Sequence, residues 1–494
     1  MDNLNVRLSE VCRRLPEKVA LADAQSSLTF GQLWRLSAAT AGFLGSATPG
    51  EAIGVMLPPV KEFGPVFFGS LLAGKTVVPL NFLLAPPELA AVIRDAGLSC
   101  IITSRMLAQR LGNPDLPFLY VEDFAGALAS AAGADPPAKL LDAAFALPDR
   151  HPAAVIYTAG TSGDPKGVVL SHGNLLANTD SCVRALALNE KHTLLASLPF
   201  FHAFGLSTGL VMPVCFGGTT VLLPRFSPQG LVDMVARHRV NIILTVPAMW
   251  TVLVKSGQLC PKKLDSLQIC ISGGEPLPAM TYDAFERVMG FPLLEGYGLT
   301  ECSPVVSLTL PPPPAPCKGS VGLPLPGVEV RVVGPNREVL SPGQEGQIEV
   351  RGGNVMTGYF KRPDLTAECF TDDGWFSTGD RGSLDQSGRL YVTGRQKDLI
   401  ITGGENVAPR EVEEVLMTCP GVEEAVVVGV PEGSRGEVVK AFVVRSPGAN
   451  LTETDLRSFC RKNLASYKVP RIIDFLEQLP RNFAGKVLKR SLPS

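Results

Sequence analysis

The chain has 494 residues, 45% of them apolar, with 45 Lys and Arg against 47 Asp and Glu. That apolar share can bury a sizeable core and excludes disorder as the main state; the length suits about three units, or one large domain plus a smaller one. A net charge of −2 excludes attachment to nucleic acid or to an anionic membrane by bulk charge.

The eleven cysteines form no C-x-x-C pair and no regular spacing. They read as reduced, buried thiols of a cytoplasmic protein, not as a disulfide frame or a zinc site. The opening segment, MDNLNVRLSEVCRRL, has no signal-peptide core. Further along, AAVIYT (153–158) is a short β-rich run that ends in a glycine-rich loop. Ser171 then reads as the N-cap of a helix through about Leu188.

From His192 to Pro224 there is no Asp, Glu, Lys or Arg. A membrane span needs ~20 apolar residues, but Pro199, Pro213, Gly205, Gly209, Gly217 and Gly218 interrupt this run. It reads as a buried strand–loop–helix–strand unit, with peripheral membrane contact left open and no transmembrane segment expected. TLLASLP (193–199), NIILTV (241–246) and LQICIS (267–272) are further buried strands, and Pro247 suits the first position of a helix. PPPPAP (311–316) is a surface loop, after which short strands dominate: GVEVRVVG, EGQIEVRG and GRLYVTG. The last piece runs helix (PREVEEVLMT), strand (EEAVVVGV), strand (VVKAFVV) and helix from Thr452.

Alternation without repeats predicts an α/β fold. The expected architecture is a large N-terminal domain over 1–394, made of two α/β-layered subdomains and a β-rich one. A boundary at 395–397 then leads to a small α+β C-terminal domain over 398–494. Residues 435–494 hold twelve Lys and Arg against five Asp and Glu. That excess suits a lobe that meets phosphates, or a solvated basic face.

The most informative segment is YTAGTSGDPKGVVLSHGN (157–174). Its glycines let backbone N–H groups approach a phosphate chain, the hydroxyls of Tyr157, Thr158, Thr161 and Ser162 donate to it, and Lys166 neutralises charge. It is not a Walker loop, because Lys166 is followed by Gly167 and the second glycine is misplaced. On chemistry alone it is a phosphate loop or an ordinary glycine turn.

The segment resembles the phosphate-loop signature of the adenylate-forming superfamily of acyl-CoA synthetases, luciferases and peptide-synthetase adenylation domains. PFFHAFG (199–205), SGGEPLP (272–278), YGLTE (297–301), STGDRG (377–382), GRQKDLI (394–400), GGENVAPREVE (403–413) and PRNFAGKVLKR (480–490) resemble its other signatures, in order. The chain is most similar to a bacterial-type fatty acyl-CoA ligase. The resemblance implies two half-reactions: a carboxylate attacks the α-phosphorus of ATP to give acyl-adenylate and pyrophosphate, and a thiol, usually that of CoA, displaces AMP.

The same resemblance assigns roles. Thr158, Gly160, Thr161, Ser162, Gly163 and Lys166 would hold phosphates. Gly274, Glu275 and Pro276 would form one wall of the adenine slot, and Tyr297, flanked by Gly296 and Gly298, would stack on the base. Thr300 would donate to the α-phosphate and Glu301 would hold Mg²⁺. Asp380 would take the ribose hydroxyls, and Arg395 would reach ribose and phosphates. Lys486 would bridge the carboxylate and the α-phosphate. Lys397 matches the hinge about which the small domain would turn for the thiol step. Gly403, Gly404 and Glu405 would then serve CoA, with Arg435, Tyr467 and Arg471 as further CoA contacts; Val469 stands where some relatives carry a basic residue. Ala159 and Glu275 also depart from the common pattern.

The acid would lie beside PFFHAFG and VPAMW (246–250), near the backbone at 273–274 and 296–298. Phe200, Phe201, Phe204, Val246, Met249, Gly273 and Val305 make this pocket apolar, and His202 gates it, lines it or is simply structural. No carboxylate lies between Glu190 and Asp233 to grip an amino group, which disfavours amino acids. A fatty acid is the first expectation and an aryl acid the second. No carrier domain follows Lys486, which favours CoA, with a separate carrier protein still possible.

Two other classes weigh less. GLSTG (205–209) matches the G-x-S-x-G elbow of serine hydrolases, but those run Ser, acid, His, and only His238 follows Ser207, too soon for that order. A non-catalytic nucleotide binder is disfavoured because Lys166, Glu301, Asp380, Arg395 and Lys486 are all present.

Overall fold

The computed structural model describes residues 3–47, 50–111, 116–123, 138–159, 165–311, 317–402, 405–432, 437–481 and 487–493. The chain packs as two compact units: residues 1–329 with 351–376, and residues 330–350 with 377–494.

The first unit carries two sheets. One has seven strands in the order Gly358–Tyr359, Pro165–Ser171, Pro152–Ala159, Thr76–Pro79, Ala52–Met56, Ile101–Thr103 and Phe118–Tyr120. The other has nine, and its middle is the parallel set Leu294–Gly298, Ile269–Gly273, Ile242–Thr245, Thr193–Ala196 and Thr219–Leu222. Ile242–Thr245 is buried at every residue, as parallel strands are when helices cover both faces. Leu195, Ile243 and Cys270 pack in one cluster with Trp250 and Phe285. The Trp250 ring meets Phe285 edge-on at 5.2 Å, and its N–H donates to the Ile271 carbonyl at 3.2 Å. A fully buried side chain of this size stabilises by about 1.5–3 kcal/mol or more. It fixes helix Pro247–Lys255, whose first turn follows directly on strand Ile242–Thr245. The carboxyl ends of such strands are where open α/β sheets take ligands.

The buried strands and the helix opening at Pro247 lie where the sequence places them. Ser171 caps helix His172–Ala185: its hydroxyl accepts from Asn174 N at 3.1 Å, and the Asn174 side chain accepts from Ser171 N at 3.0 Å. The helix stops short of Leu188 because Ala187 takes a φ of 51°. One strand was not expected. Pro165–Ser171 runs antiparallel to Pro152–Ala159, so a strand, not a helix, follows the glycine-rich segment. Val168, Val169 and Leu170 favour that extended run.

The uncharged run folds as strand Thr193–Ala196, a helical stretch Ala203–Phe216 with a π-turn at Ser207–Val211, and strand Thr219–Leu222. Among the described residues no helix is long and apolar enough to cross a membrane. Ser207 lies within the helical stretch, 3% exposed, and its Oγ has no hydrogen-bond partner among the described residues. The strand-to-helix elbow of a serine nucleophile is therefore not formed at GLSTG.

The second unit carries a four-stranded sheet, Val328–Val333, Gly346–Gly352, Phe376–Leu384 and Leu390–Arg395, which is the β-rich region. It also carries a three-stranded sheet, Val422–Pro431, Glu437–Arg445 and Ile472–Leu476. Helices Pro409–Met417 and Glu453–Asn463 bury Val412, Leu416, Leu456 and Cys460 in one core with Val427, Val439 and Ala441. The helix–strand–strand–helix order is as expected, and Ile472–Leu476 adds a parallel edge. A large N-terminal α/β part, a β-rich region and a small α+β C-terminal part are all present.

Candidate active site

Thr158 and Lys166 are paired across the two strands, both half-buried, so they stand side by side at the two ends of the segment expected to bind phosphates. Gly160, Thr161, Ser162 and Gly163 lie outside the described residues. Tyr157 does not join them. Its hydroxyl donates to the Asp95 carboxylate at 2.5 Å, and burial together with Asp95 pushes the phenol well above its usual range. The loop's side-chain donors therefore do not include this hydroxyl, because strand alternation turns Tyr157 to the side opposite Thr158.

Strands Ile269–Gly273 and Leu294–Gly298 lie in register, Gly273 beside Gly296. Gly274 follows with a φ of +87°, a conformation that favours glycine, and is exposed; Glu275 is half-buried and Pro276 exposed. Tyr297 is half-buried in the neighbouring strand. A Cβ at Gly298 would fall 2.1 Å from the Pro304 carbonyl oxygen, so only glycine lets the chain turn there. Thr300 and Glu301 then open a 3₁₀ turn, Thr300–Cys302, both half-buried.

Glu301 is held from two directions. Its carbonyl accepts from Met356 N at 2.8 Å, and its Oε1 accepts from the Tyr359 hydroxyl at 2.8 Å. Lys166 Nζ stands 5.6 Å from the centroid of the same tyrosine ring. The Cys369 thiol senses both charges: burial raises it to about 11, Glu301 adds to the rise and Lys166 opposes it. A lone carboxylate steadied by a hydroxyl suits Mg²⁺, which keeps several waters and takes one or two carboxylates plus phosphate oxygens. Among the described residues no cluster of three metal-ligating side chains forms a closed cage.

The expected acid pocket is assembled in part. Leu198, Val246 and Met249 form a buried cluster with Phe204 packed against it. A Cβ on Gly273 would lie 3.4 Å from the Phe204 ring, and one on Gly274 would lie 3.8 Å from Val246. Val305, 9% exposed, pairs with Gly298 in the adjoining antiparallel strand, and Asn178 Nδ2 donates to its carbonyl at 2.7 Å. Phe200 and Phe201 are core residues, contrary to expectation. Phe200 is fully buried and packs on Phe63 at 4.9 Å, while Phe201, 4% exposed, packs on Phe82 at 5.2 Å. Successive residues at this turn point to different sides, so one phenylalanine of three remains for the pocket. His202 is exposed, with its ring 4.8 Å from Phe201, which rules out a buried structural histidine.

The sequence reading missed a polar seam. Ser197 Oγ donates to Thr245 Oγ1 at 3.2 Å, and Thr245 Oγ1 donates to Met249 Sδ at 2.9 Å. Ser272 lies next to Thr245 in the sheet, 2% exposed, its Oγ without a partner among the described residues. A signal was available, since TLLAS, NIILT and LQICIS all end an apolar run in a hydroxyl.

In the second unit Asp380 and Arg395 are cross-strand partners joined by an ion pair of 3.1 Å, with Asp380 4% exposed and Arg395 exposed. Thr378 Oγ1 donates to the Ile348 carbonyl at 2.8 Å and accepts from Asp380 N at 3.0 Å, which fixes the STGD turn. Lys397 is exposed on the 3₁₀ turn Gln396–Asp398, and Glu405 is exposed in a short hairpin. Tyr467 is 40% exposed, and Arg471 is paired with Glu432 at 2.5 Å. Gly403, Gly404, Arg435 and Lys486 lie outside the described residues.

Two family models match the chain: AMP-binding enzyme over residues 8–360, and AMP-binding enzyme C-terminal domain over residues 411–486. The chain is 34% identical to the long-chain-fatty-acid–CoA ligase of Bacillus subtilis, over 98% of this chain and 93% of that protein. It is 35% identical to the feruloyl-CoA synthase of an Amycolatopsis species, over 97% and 96%. The solved structure of o-succinylbenzoate CoA synthetase from Bacillus subtilis, in complex with its acyl-adenylate intermediate, matches with a TM-score of 0.86 at 30% identity, over 99% of this chain and 98% of that one.

Proposed function

We propose that this chain, which belongs to the AMP-binding enzyme family and is an AMP-forming carboxylic acid–CoA ligase, acts on a compact apolar acid, an aryl acid before a fatty one. It uses ATP and Mg²⁺, with CoA as co-substrate. The acid's oxygen bonds to the α-phosphorus as the bond to pyrophosphate breaks; the CoA sulfur then bonds to the acyl carbon as AMP leaves and the thiol proton passes to solvent.

Within that reaction Thr158 and Lys166 screen the phosphates from the anionic nucleophile. Tyr297 and the 274–276 turn hold adenine, Thr300 donates to the α-phosphate, and Asp380 with Arg395 takes the ribose. Glu301 holds Mg²⁺, which supplies positive charge to the phosphate oxygens. Lys486 draws carboxylate and α-phosphate together, and Lys397 is the hinge that lets the second half-reaction use Glu405 and its neighbours.

The observation that carries the substrate class is the Phe204 ring against Gly273, with Val246 at Gly274 and Met249 beside them. The Phe204 ring packs directly on the Gly273 backbone and gives this apolar cluster an aromatic wall, on which an aromatic acid would gain about 0.5–1.5 kcal/mol beyond area. Likeness to a feruloyl-CoA synthase supports this order. A fatty acid is the second reading, favoured by likeness to a long-chain-fatty-acid–CoA ligase. The test is pyrophosphate release over aryl, fatty and α-amino acids, with and without CoA. Cinnamate-type acids should give the highest kcat/KM. A higher value for octanoate would install the fatty reading, and one for any amino acid would end both.

A further inference from the structure

Glu301 and Lys166 come from distant parts of the chain and carry opposite charges, yet one side chain touches both. Tyr359 gives its hydroxyl to Glu301 Oε1 at 2.8 Å and presents its ring to Lys166 Nζ at 5.6 Å. The tyrosine is itself immobilised. Gly358 and Tyr359 pair antiparallel with Val169 and Val168, on the strand that carries Lys166. On either side, Phe360 N donates to the Gly167 carbonyl at 2.7 Å and Met356 N to the Glu301 carbonyl at 2.8 Å. Tyr359 N donates to Thr366 Oγ1 at 2.9 Å.

We propose that Tyr359 is a positioning residue that sets the metal-binding carboxylate Glu301 and the phosphate-binding ammonium Lys166 at a fixed spacing. Its two contacts are chemically separable. The hydroxyl orients one carboxylate oxygen, so that the carboxylate meets the incoming ion in one rotamer. A hydrogen bond to a charged group is stronger than one between neutral groups. The ring holds the ammonium by its quadrupole and keeps it off Glu301, where a direct ion pair would compete with both ligands. The inference rests on the use of ATP and Mg²⁺ and is independent of which acid is activated.

The experiment compares Tyr359→Phe and Tyr359→Leu with the parent protein in two binding measurements that need no turnover. ATP affinity is measured by calorimetry in EDTA, and Mn²⁺ affinity for the ATP complex by electron paramagnetic resonance. Tyr359→Phe keeps the ring. It should weaken Mn²⁺ about 10-fold and leave ATP binding in EDTA within about twofold. Tyr359→Leu loses ring and hydroxyl, and should weaken Mn²⁺ to the same extent and ATP in EDTA about three- to tenfold. Unchanged Mn²⁺ affinity in Tyr359→Phe overturns the proposal. So does an equal loss of ATP affinity in both variants, which would make Tyr359 a packing residue. If Tyr359→Leu does not fold, Tyr359→Phe alone decides through the split between Mn²⁺ and ATP.

Discussion

In the first unit Tyr297, Lys166 and Glu301 stand half-buried on strands and a 3₁₀ turn, and Tyr359 contacts both Lys166 and Glu301. In the second, Lys397, Glu405 and Tyr467 stand exposed, and Arg471 is occupied by a solvent-exposed ion pair with Glu432. Exposed pairs of that kind contribute only about 0–1 kcal/mol, so exchanging one for a ligand costs little. The first arrangement suits groups that must already be in place when charge develops. The second suits groups that are called on in turn. Asp380 is the intermediate case: it belongs to the second unit but is buried and tied into its sheet.

The largest expected effect tests that division at Lys486. Removal of its ammonium should slow adenylation by about 10²–10³, the scale of one charge-stabilising contact in a transition state. The same Lys486→Ala protein should still convert supplied acyl-adenylate to thioester. Equal loss of both steps in a folded protein would show that the second unit's groups do not act in turn.

Lys397→Pro is the reverse probe, because proline holds φ near −65° and removes a donor. It should leave adenylate formation intact and slow thioester formation about tenfold or more, read by single-turnover assay of each half. If adenylation suffers as much, the turn at 396–398 is structural and not a hinge.

Phe204→Ala asks whether the acid pocket shares the rigidity of the first unit. Loss of the ring beside Gly273 should lower kcat/KM for aryl acids about tenfold relative to octanoate. An unchanged ratio would remove Phe204 from substrate selection.

Tyr157→Phe should have the smallest effect. The hydroxyl serves Asp95, so ATP affinity should stay within about twofold while stability falls by about 1 kcal/mol. A large loss of ATP binding would return Tyr157 to the phosphate loop.

The kind of chemistry was legible through motifs that, together and in order, resemble the adenylate-forming superfamily; the glycine loop alone left a phosphate loop and an ordinary turn open. Each motif is a short run of residue types at fixed spacing, so local order carries that information. The parallel strands and the Ser171 cap were legible for the same reason, since apolar runs and capping boxes are local. What the tertiary structure decided were the directions of side chains and the meetings between distant segments. Phe200 and Phe201 went to the core because Phe63 and Phe82 wait there. Tyr157 turned to Asp95, on a helix far back in the chain. Tyr359 reached Glu301 only because residues 351–376 return to the first unit after the chain has entered the second. Strand pairing across such distances leaves no periodicity in the sequence, because the hydrogen bonds that set it are backbone groups every residue owns.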